Sequence, residues 1–243
     1  MHYEISGSGE HNILFIHGFG GSSGLWKWQR EFFKNSCRVL SIDLPGHGKS
    51  PWNGETVSDM AEDLTRVMDM VGADNAHIVA SSFGGLAALQ WAEAFPGRAA
   101  SLTFAGSLPK FTAADDFPAG LNIERIRKLS GQFDGDVEGV LDIFFRSLFT
   151  KEERAAGQYA KVRELRRGLP LPQRDALKAF LDILEMTDLR ETLRRVRCPV
   201  QFILGDQDYI CPLTVVAPLK ALKPDARVHV LKGCGHFPFL TEP

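Results

Sequence analysis

The sequence predicts an α/β protein: a mostly parallel central sheet with helices on both faces, interrupted by a helical cap insertion. Three observations predict it. Over the first hundred residues, short β-rich runs alternate with amphipathic helical stretches, the pattern of strand–helix–strand units. From about Pro109 to Thr187 strand-like runs disappear and the chain becomes helical and charge-rich. After Cys198-Pro199 the alternation returns. Residues 1–109 and 189–243 are therefore expected to form the core, and 110–188 the cap, a layout that 243 residues accommodate as one domain with an inserted subdomain.

The elements follow in order. His2 and His11 fall in a terminal strand and hairpin, and Asn12 to His17 is the first apolar strand run. Leu25 to Lys34 reads as a helix, Arg38 to Asp43 as a strand, and Ser58 to Val71 as a helix starting near Ser58. His77 to Ser81 and Ala100 to Ala105 are strands on either side of a helix over Gly84 to Ala94. Pro118, Gly131, Gly135, Gly139, Gly157 and the Leu169-Pro-Leu-Pro172 turn then divide the helical insert. Val200 to Leu204 and Arg227 to Leu231 are the last strands, flanking a helix from Pro212 to Leu222.

Bulk properties exclude several classes. A net charge of −2 and a pI near 6.4 argue against affinity built on phosphate neutralisation, so no nucleic-acid partner is expected. The most apolar runs have strand length, short of the roughly 20 residues that span a bilayer. Met1 to Gly9 is polar, without the layout of a secretory leader, and a cytoplasmic location is expected. Cys37, Cys198, Cys211 and Cys234 are scattered and read as reduced thiols; no metal-ligand spacing occurs, and neither a metal nor a cofactor is expected.

The chemistry concentrates in four places. His77-Ile-Val-Ala-Ser-Ser-Phe-Gly-Gly85 is a strand, a sharp turn of small residues and a helix start, the context in which a strained turn exposes a nucleophilic serine. Ser81 and Ser82 compete. With Ser82 at the apex the residues two before and two after are Ala80 and Gly84, small enough for close strand–helix approach; with Ser81 they are Val79 and Phe83. Ser82 is the candidate nucleophile. A serine hydroxyl needs a base, and the base a carboxylate to orient it. Gly205-Asp-Gln-Asp208 follows a strand; Asp208 is the choice, because it lies in the loop ahead of Pro212, whereas Asp206 reads as a solvated turn residue. His236, in Gly233-Cys-Gly-His236, follows the last strand and is the candidate base, while Cys234 beside it reads as a small loop residue. His17-Gly-Phe-Gly-Gly21 can turn a backbone N–H toward the nucleophile, so the oxyanion donors are assigned to the N–H groups of Phe19 and Phe83, with His17 structural. His47, in a Gly-rich turn, reads as structural or solvated.

Together, His17-Gly18, Asp43-Leu-Pro-Gly-His-Gly-Lys-Ser50, Ala80-Ser-Ser-Phe-Gly-Gly85, Gly205-Asp-Gln-Asp-Tyr-Ile-Cys-Pro212 and Gly233-Cys-Gly-His-Phe-Pro-Phe-Leu240 resemble the α/β-hydrolase superfamily across almost the full length. Within it, the compact insert after Ala105-Gly-Ser-Leu-Pro109, the Leu169-Pro-Leu-Pro172 turn and Leu184-Glu-Met-Thr-Asp-Leu-Arg190 are similar to the family of pimeloyl-acyl carrier protein methyl ester esterases. That resemblance implies a serine carboxylesterase that demethylates a carrier-bound acyl chain in biotin synthesis. It also implies a final helix after the histidine loop, whereas the sequence stops at Leu240-Thr-Glu-Pro243, so either the sequence is a shortened one or one sheet face is less covered.

The insert is expected to roof the site, with Phe144, Phe145, Leu148 and Phe149 as acyl-tunnel candidates; Trp26 and Trp28, near the oxyanion loop, are candidates to shape the pocket. Between Arg146 and Lys178 nine basic residues face four acidic ones, a net of +5 in a chain of −2. Arg154, Arg163, Arg166 and Arg167 are accordingly expected to dock an acidic acyl carrier protein. The protein is expected to work as a monomer. Two rivals stand beside this reading: a broad carboxylesterase or thioesterase, and a ligand receptor on the same fold. A haloalkane dehalogenase is disfavoured, since its nucleophile is a carboxylate and position 82 is serine.

Overall fold

Apolar strand runs bounded by turn residues pair into one seven-stranded sheet in a computed structural model that describes residues 1–241. The strands are β1 (His2–Ser6), β2 (Asn12–Ile16), β3 (Arg38–Asp43), β4 (Ala76–Ser81), β5 (Ala99–Ala105), β6 (Val200–Gly205) and β7 (Arg227–Leu231). They lie in the order β1-β3-β2-β4-β5-β6-β7, all parallel except β1. The predicted hairpin at the N-terminus is not formed. Both edges of β2 are occupied by parallel partners, β3 and β4, so β1 passes over and pairs antiparallel with the outer edge of β3, His2 opposite Asp43.

The helices are α1 (Lys27–Phe33), α2 (Val57–Met70), α3 (Gly84–Ala94), α4 (Ile123–Gln132), α5 (Val137–Ser147), α6 (Lys151–Ala155), α7 (Gln158–Arg166), α8 (Arg174–Met186), α9 (Arg190–Arg195), α10 (Val216–Leu222) and α11 (Pro238–Thr241). Single 3-10 turns, Ser23–Trp26 and Leu213–Val215, precede α1 and α10, so both helices start later than their apolar periodicity suggests. Helix α2 starts earlier than expected: Thr56 accepts from Asp59 N–H and Asp59 accepts from Thr56 N–H, a reciprocal cap that fixes the start one residue before Ser58.

Strand alternation divides the core. Leu14, Ile16, Leu40 and Ile42 join Leu64 of α2 and Leu86 of α3 in the main cluster, while Ile13, Phe15 and Val39 meet Trp26 in a smaller one. β7, at the sheet edge, leaves Val230 exposed. Helices α4 to α8 are inserted between β5 and α9. The two ends of this insert meet: Lys110 and Asp188 form an antiparallel bridge, Lys110 Nζ lies 3.1 Å from Asp188 Oδ2, and Leu189 N–H donates to Pro109 O at 2.8 Å. No helix among the described residues is long and apolar enough to cross a membrane.

Candidate active site

Strand order reverses around β2 and β4, and a parallel sheet opens a crevice at such a point, outside the carboxyl ends of its strands. The loop after β2 and the turn after β4 both enter it. Ser82 has φ of 49°, the only non-glycine residue with positive φ among those described. A left-handed serine is a strained one, so the surroundings must hold it there. Ser82 N–H donates to Ala105 O at 3.1 Å, and Ser107 Oγ donates to Ser82 O at 2.6 Å. The turn fits only because neighbours lack side chains: a Cβ on Gly84 would lie 2.4 Å from His17 O, and one on Gly18 2.8 Å from Ser82 Cβ. Ser81, by contrast, is fully buried and its Oγ has no partner.

The structure brings Ser82, Asp208 and His236 together. Ser82 Oγ lies 2.9 Å from His236 Nε2, and His236 Nδ1 lies 2.8 Å from Asp208 Oδ2. This network assigns the proton to Nδ1 and leaves Nε2 as acceptor for the serine hydroxyl. The other Asp208 oxygen accepts from Ile210 N–H at 2.8 Å and Cys211 N–H at 3.1 Å, which locks the carboxylate. Asp206 lies in the turn, partly exposed, as expected, and its Oδ1 also accepts from Gly233 N–H at 2.7 Å, which ties the β6 loop to the histidine loop. Cys211 brings its sulfur within 4.8 Å of the Asp208 and His236 donors. Burial holds that thiol well above its usual range, so it stays protonated, and the other two groups are already bonded to each other. Proton relay suits the trio better than ion binding does.

Among the described residues, neither Phe19 N–H nor Phe83 N–H finds an acceptor. Two buried histidines support the Phe19 loop. His17 Nδ1–H donates to Gly18 O at 2.8 Å while its Nε2 accepts from Leu44 N–H at 2.9 Å. His47, read from sequence only as a turn residue, donates from Nδ1 to Pro45 O and accepts from Gly20 N–H at Nε2, 3.2 Å away. Burial lowers both pKa values, that of His47 to about 3 with His17 close by, so both rings are neutral. Asp43 completes the brace, accepting from Ser23 N–H at 2.7 Å and Lys49 N–H at 2.9 Å. Burial works against its charge, but those donors outweigh it and keep the carboxyl below its usual range.

A cavity of about 670 Å³ reaches Ser82 and His236 from between α4, α5 and α8. Its walls are apolar, among them Phe19, Phe111, Ile126 and Phe144. Five of the six expected pocket residues, all but Phe144, are elsewhere. Trp26 is fully buried between Phe15 and Phe239, with ring centroids 4.8 and 4.1 Å away, because its helix turns it under the sheet and away from the crevice. Phe145, one residue after Phe144, faces inward and stacks on Phe237; Leu148 and Phe149 are likewise buried in the packing beneath the cap. Trp28 packs at the edge of the core, outside the cavity lining.

Each of the four arginines expected to meet a carrier has a partner within the chain, although Arg163 and Arg167 remain exposed. Arg163 pairs with Asp142 and Arg167 with Glu164, Arg166 lies 4.0 Å above the Phe145 ring, and Arg154 donates to Phe149 O. Arg163, Arg166 and Arg167 line a groove separate from the Ser82 cavity. The basic residues at the cavity are Arg125 and Lys128 of α4, which sequence reading missed; both are exposed, and no carboxylate lines that cavity among the described residues. The only signal was their three-residue spacing, which any solvated helix shares.

The family model for the alpha/beta hydrolase fold matches residues 12–243. The chain is 34% identical over 242 residues to the pimeloyl-[acyl-carrier protein] methyl ester esterase of Methylococcus capsulatus, covering 98% of this chain and 92% of that protein. Among solved structures, it superposes on an esterase from Exiguobacterium antarcticum with a TM-score of 0.87 at 22% identity, over 99% of this chain and 90% of that one. A thermophilic esterase from Thermogutta terrifontis gives 0.84 at 23% identity, over 100% and 88%. With its sheet order, its serine on a strained turn and a family match from the second strand onward, the chain belongs to the α/β-hydrolase fold family.

Proposed function

We propose that the protein is a serine carboxylic ester hydrolase that removes the methyl group from an acyl chain bound to an acyl carrier protein, the pimeloyl methyl ester being its substrate. The observation that carries the reaction class is the continuous hydrogen-bond path from Ser82 Oγ through His236 to Asp208, opening into an apolar cavity. On this reading His236 Nε2 takes the hydroxyl proton as Ser82 Oγ attacks the ester carbonyl. Asp208 stabilises the imidazolium, and the Phe19 and Phe83 N–H groups receive the oxyanion. His236 then returns the proton to the departing methanol. Water, deprotonated by the same nitrogen, attacks the acyl-enzyme and frees the carboxylate and Ser82.

Two further observations support the carrier-bound substrate. The Methylococcus capsulatus relative is named for that reaction, and exposed Arg125 and Lys128 line the cavity with no carboxylate among the described residues that line it, a suitable approach for an acidic partner. The reading locates the enzyme in the cytoplasm, where its four cysteines stay reduced. The apolar cavity of about 670 Å³ favours a second reading, a carboxylesterase or thioesterase for free small or medium acyl esters. The deciding measurement compares kcat/KM for pimeloyl-carrier methyl ester with that for free dimethyl pimelate. A preference for the carrier-bound ester of about tenfold or more, 1.4 kcal/mol in transition-state binding, is expected; equal values would leave the broad esterase.

A further inference from the structure

The loop that carries His236 contains two glycines, Gly233 and Gly235, and so has little rigidity of its own. On the core side it is held by Asp206, and by Gln207 N–H donating to Cys234 O at 2.9 Å. The opposite side is held by the cap. His236 N–H donates to Leu148 O at 2.9 Å, and Gly235 N–H donates to Glu153 Oε1 at 3.1 Å. Thr241 Oγ1, in α11 beyond the loop, donates to the same carboxylate oxygen at 2.5 Å. The second oxygen accepts from Thr150 N–H at 2.6 Å.

Glu153 is a carboxylate at 5% exposure, without a cationic partner among the described residues. Burying such a group is costly unless its oxygens are supplied with donors, and here three elements supply them. A helix cap alone does not need this: Thr150 and Glu153 form a capping box, but that motif uses only Oε2 and works equally well on an exposed surface. Oε1 is spent on the histidine loop. Gly235 is matched to it, since a Cβ there would lie 2.4 Å from Leu148 O and 2.9 Å from Glu153 Oε2.

We propose that Glu153 is a positioning residue for His236, a strut from the cap that fixes the height of the imidazole over Ser82. The inference rests on the reading of His236 as the base. Misplacing a proton-transfer group by about 1 Å costs on the order of 10²-fold in rate, so a loop held from both sides turns over faster than one held from the core alone.

The test measures kcat and KM on a small uncharged ester for Glu153→Ala, Glu153→Gln and Thr150→Ala, with circular dichroism to establish folding. Glu153→Ala is expected to lower kcat by about 10- to 100-fold while KM changes less than about twofold. Glu153→Gln keeps an oxygen for Gly235 and Thr241 and is expected to recover most of that loss. Thr150→Ala weakens the α6 cap but leaves the strut, and kcat is expected to stay near wild type. A folded Glu153→Ala with wild-type kcat overturns the proposal, as does a Thr150→Ala loss equal to that of Glu153→Ala. Should Glu153→Ala not fold, Glu153→Asp, one methylene shorter, must show the same kcat-selective loss. His236→Ala separates the two failures: if it stays active, the reading of the site is wrong, whereas if it is dead and Glu153→Ala is not, only the strut is wrong.

Discussion

Ser82 is where backbone strain and chemistry coincide, and its neighbour shows what the strain is for. Ser81 has ordinary strand conformation and a buried hydroxyl with no partner; Ser82 is forced to φ of 49° and its hydroxyl meets His236. Ser82→Ala is therefore expected to lower ester hydrolysis by on the order of 10⁴-fold or more with the circular dichroism spectrum unchanged. Ser81→Ala removes only an unpaired hydroxyl and should leave kcat within about twofold. The reverse result would move the nucleophile to position 81. This choice was legible in the sequence because it depends on the sizes of residues two positions away, a local quantity. His47 was not legible: its role depends on Gly20 N–H, 27 residues distant, and a histidine in a glycine-rich turn looks the same whether it is solvated or fully enclosed.

At the scale of elements, the strands were legible from apolar runs, but pairing partners and helix starts were not always so. His2 and His11 read as part of a terminal strand and hairpin, and the sheet instead gives β2 two parallel neighbours, a choice set by long-range packing. Helix α2 begins at a Thr-x-x-Asp box, not at Ser58. Thr56→Ala removes the acceptor for Asp59 N–H and is expected to cost about 1 kcal/mol in urea unfolding, with kcat unaltered, because α2 lies away from the crevice. The cap's charge pattern was legible as a sum, but not which of its cations stand nearest the cavity. Arg163 and Arg167 spend their guanidinium groups on Asp142 and Glu164, while Arg125 and Lys128 stand at the cavity. Arg125→Glu with Lys128→Glu should therefore lower kcat/KM for a carrier-bound ester more than Arg163→Glu with Arg167→Glu does. Added salt should narrow the difference, and the Arg163→Glu, Arg167→Glu pair should not affect a small neutral ester. Equal effects of both pairs would return the docking surface to α7.

For the whole molecule, the buried neutral histidines make stability depend on pH in a defined direction. His47 is held at about 3 when folded, whereas an unfolded histidine titrates near 6.5, so between those values the unfolded chain binds the extra proton. Stability is fully present above pH 6.5 and falls as pH drops from there toward 3; His17, also lowered, adds to the same limb. Urea midpoints are expected to be flat from about pH 7 to 8 and to decline below pH 6.5, and His47→Gln, which keeps an acceptor for Gly20 N–H but cannot protonate, should flatten the decline. A midpoint indifferent to pH from 7 to 4.5 would contradict this. The stem of the insert has a different consequence, one for how such a molecule changes over generations. Because Pro109 and Leu189 are hydrogen-bonded neighbours, the sheet sees the insert as a closed loop, and doubling the length of such a loop costs only about 0.6 kcal/mol of chain entropy. A lineage can thus lengthen, trim or exchange the roof, and with it the range of acids it accepts, without re-evolving the machinery below. Any replacement roof would still have to supply hydrogen-bond acceptors to the backbone at Gly235 and His236, so heirs of this design are free in almost everything except the few atoms that touch that loop.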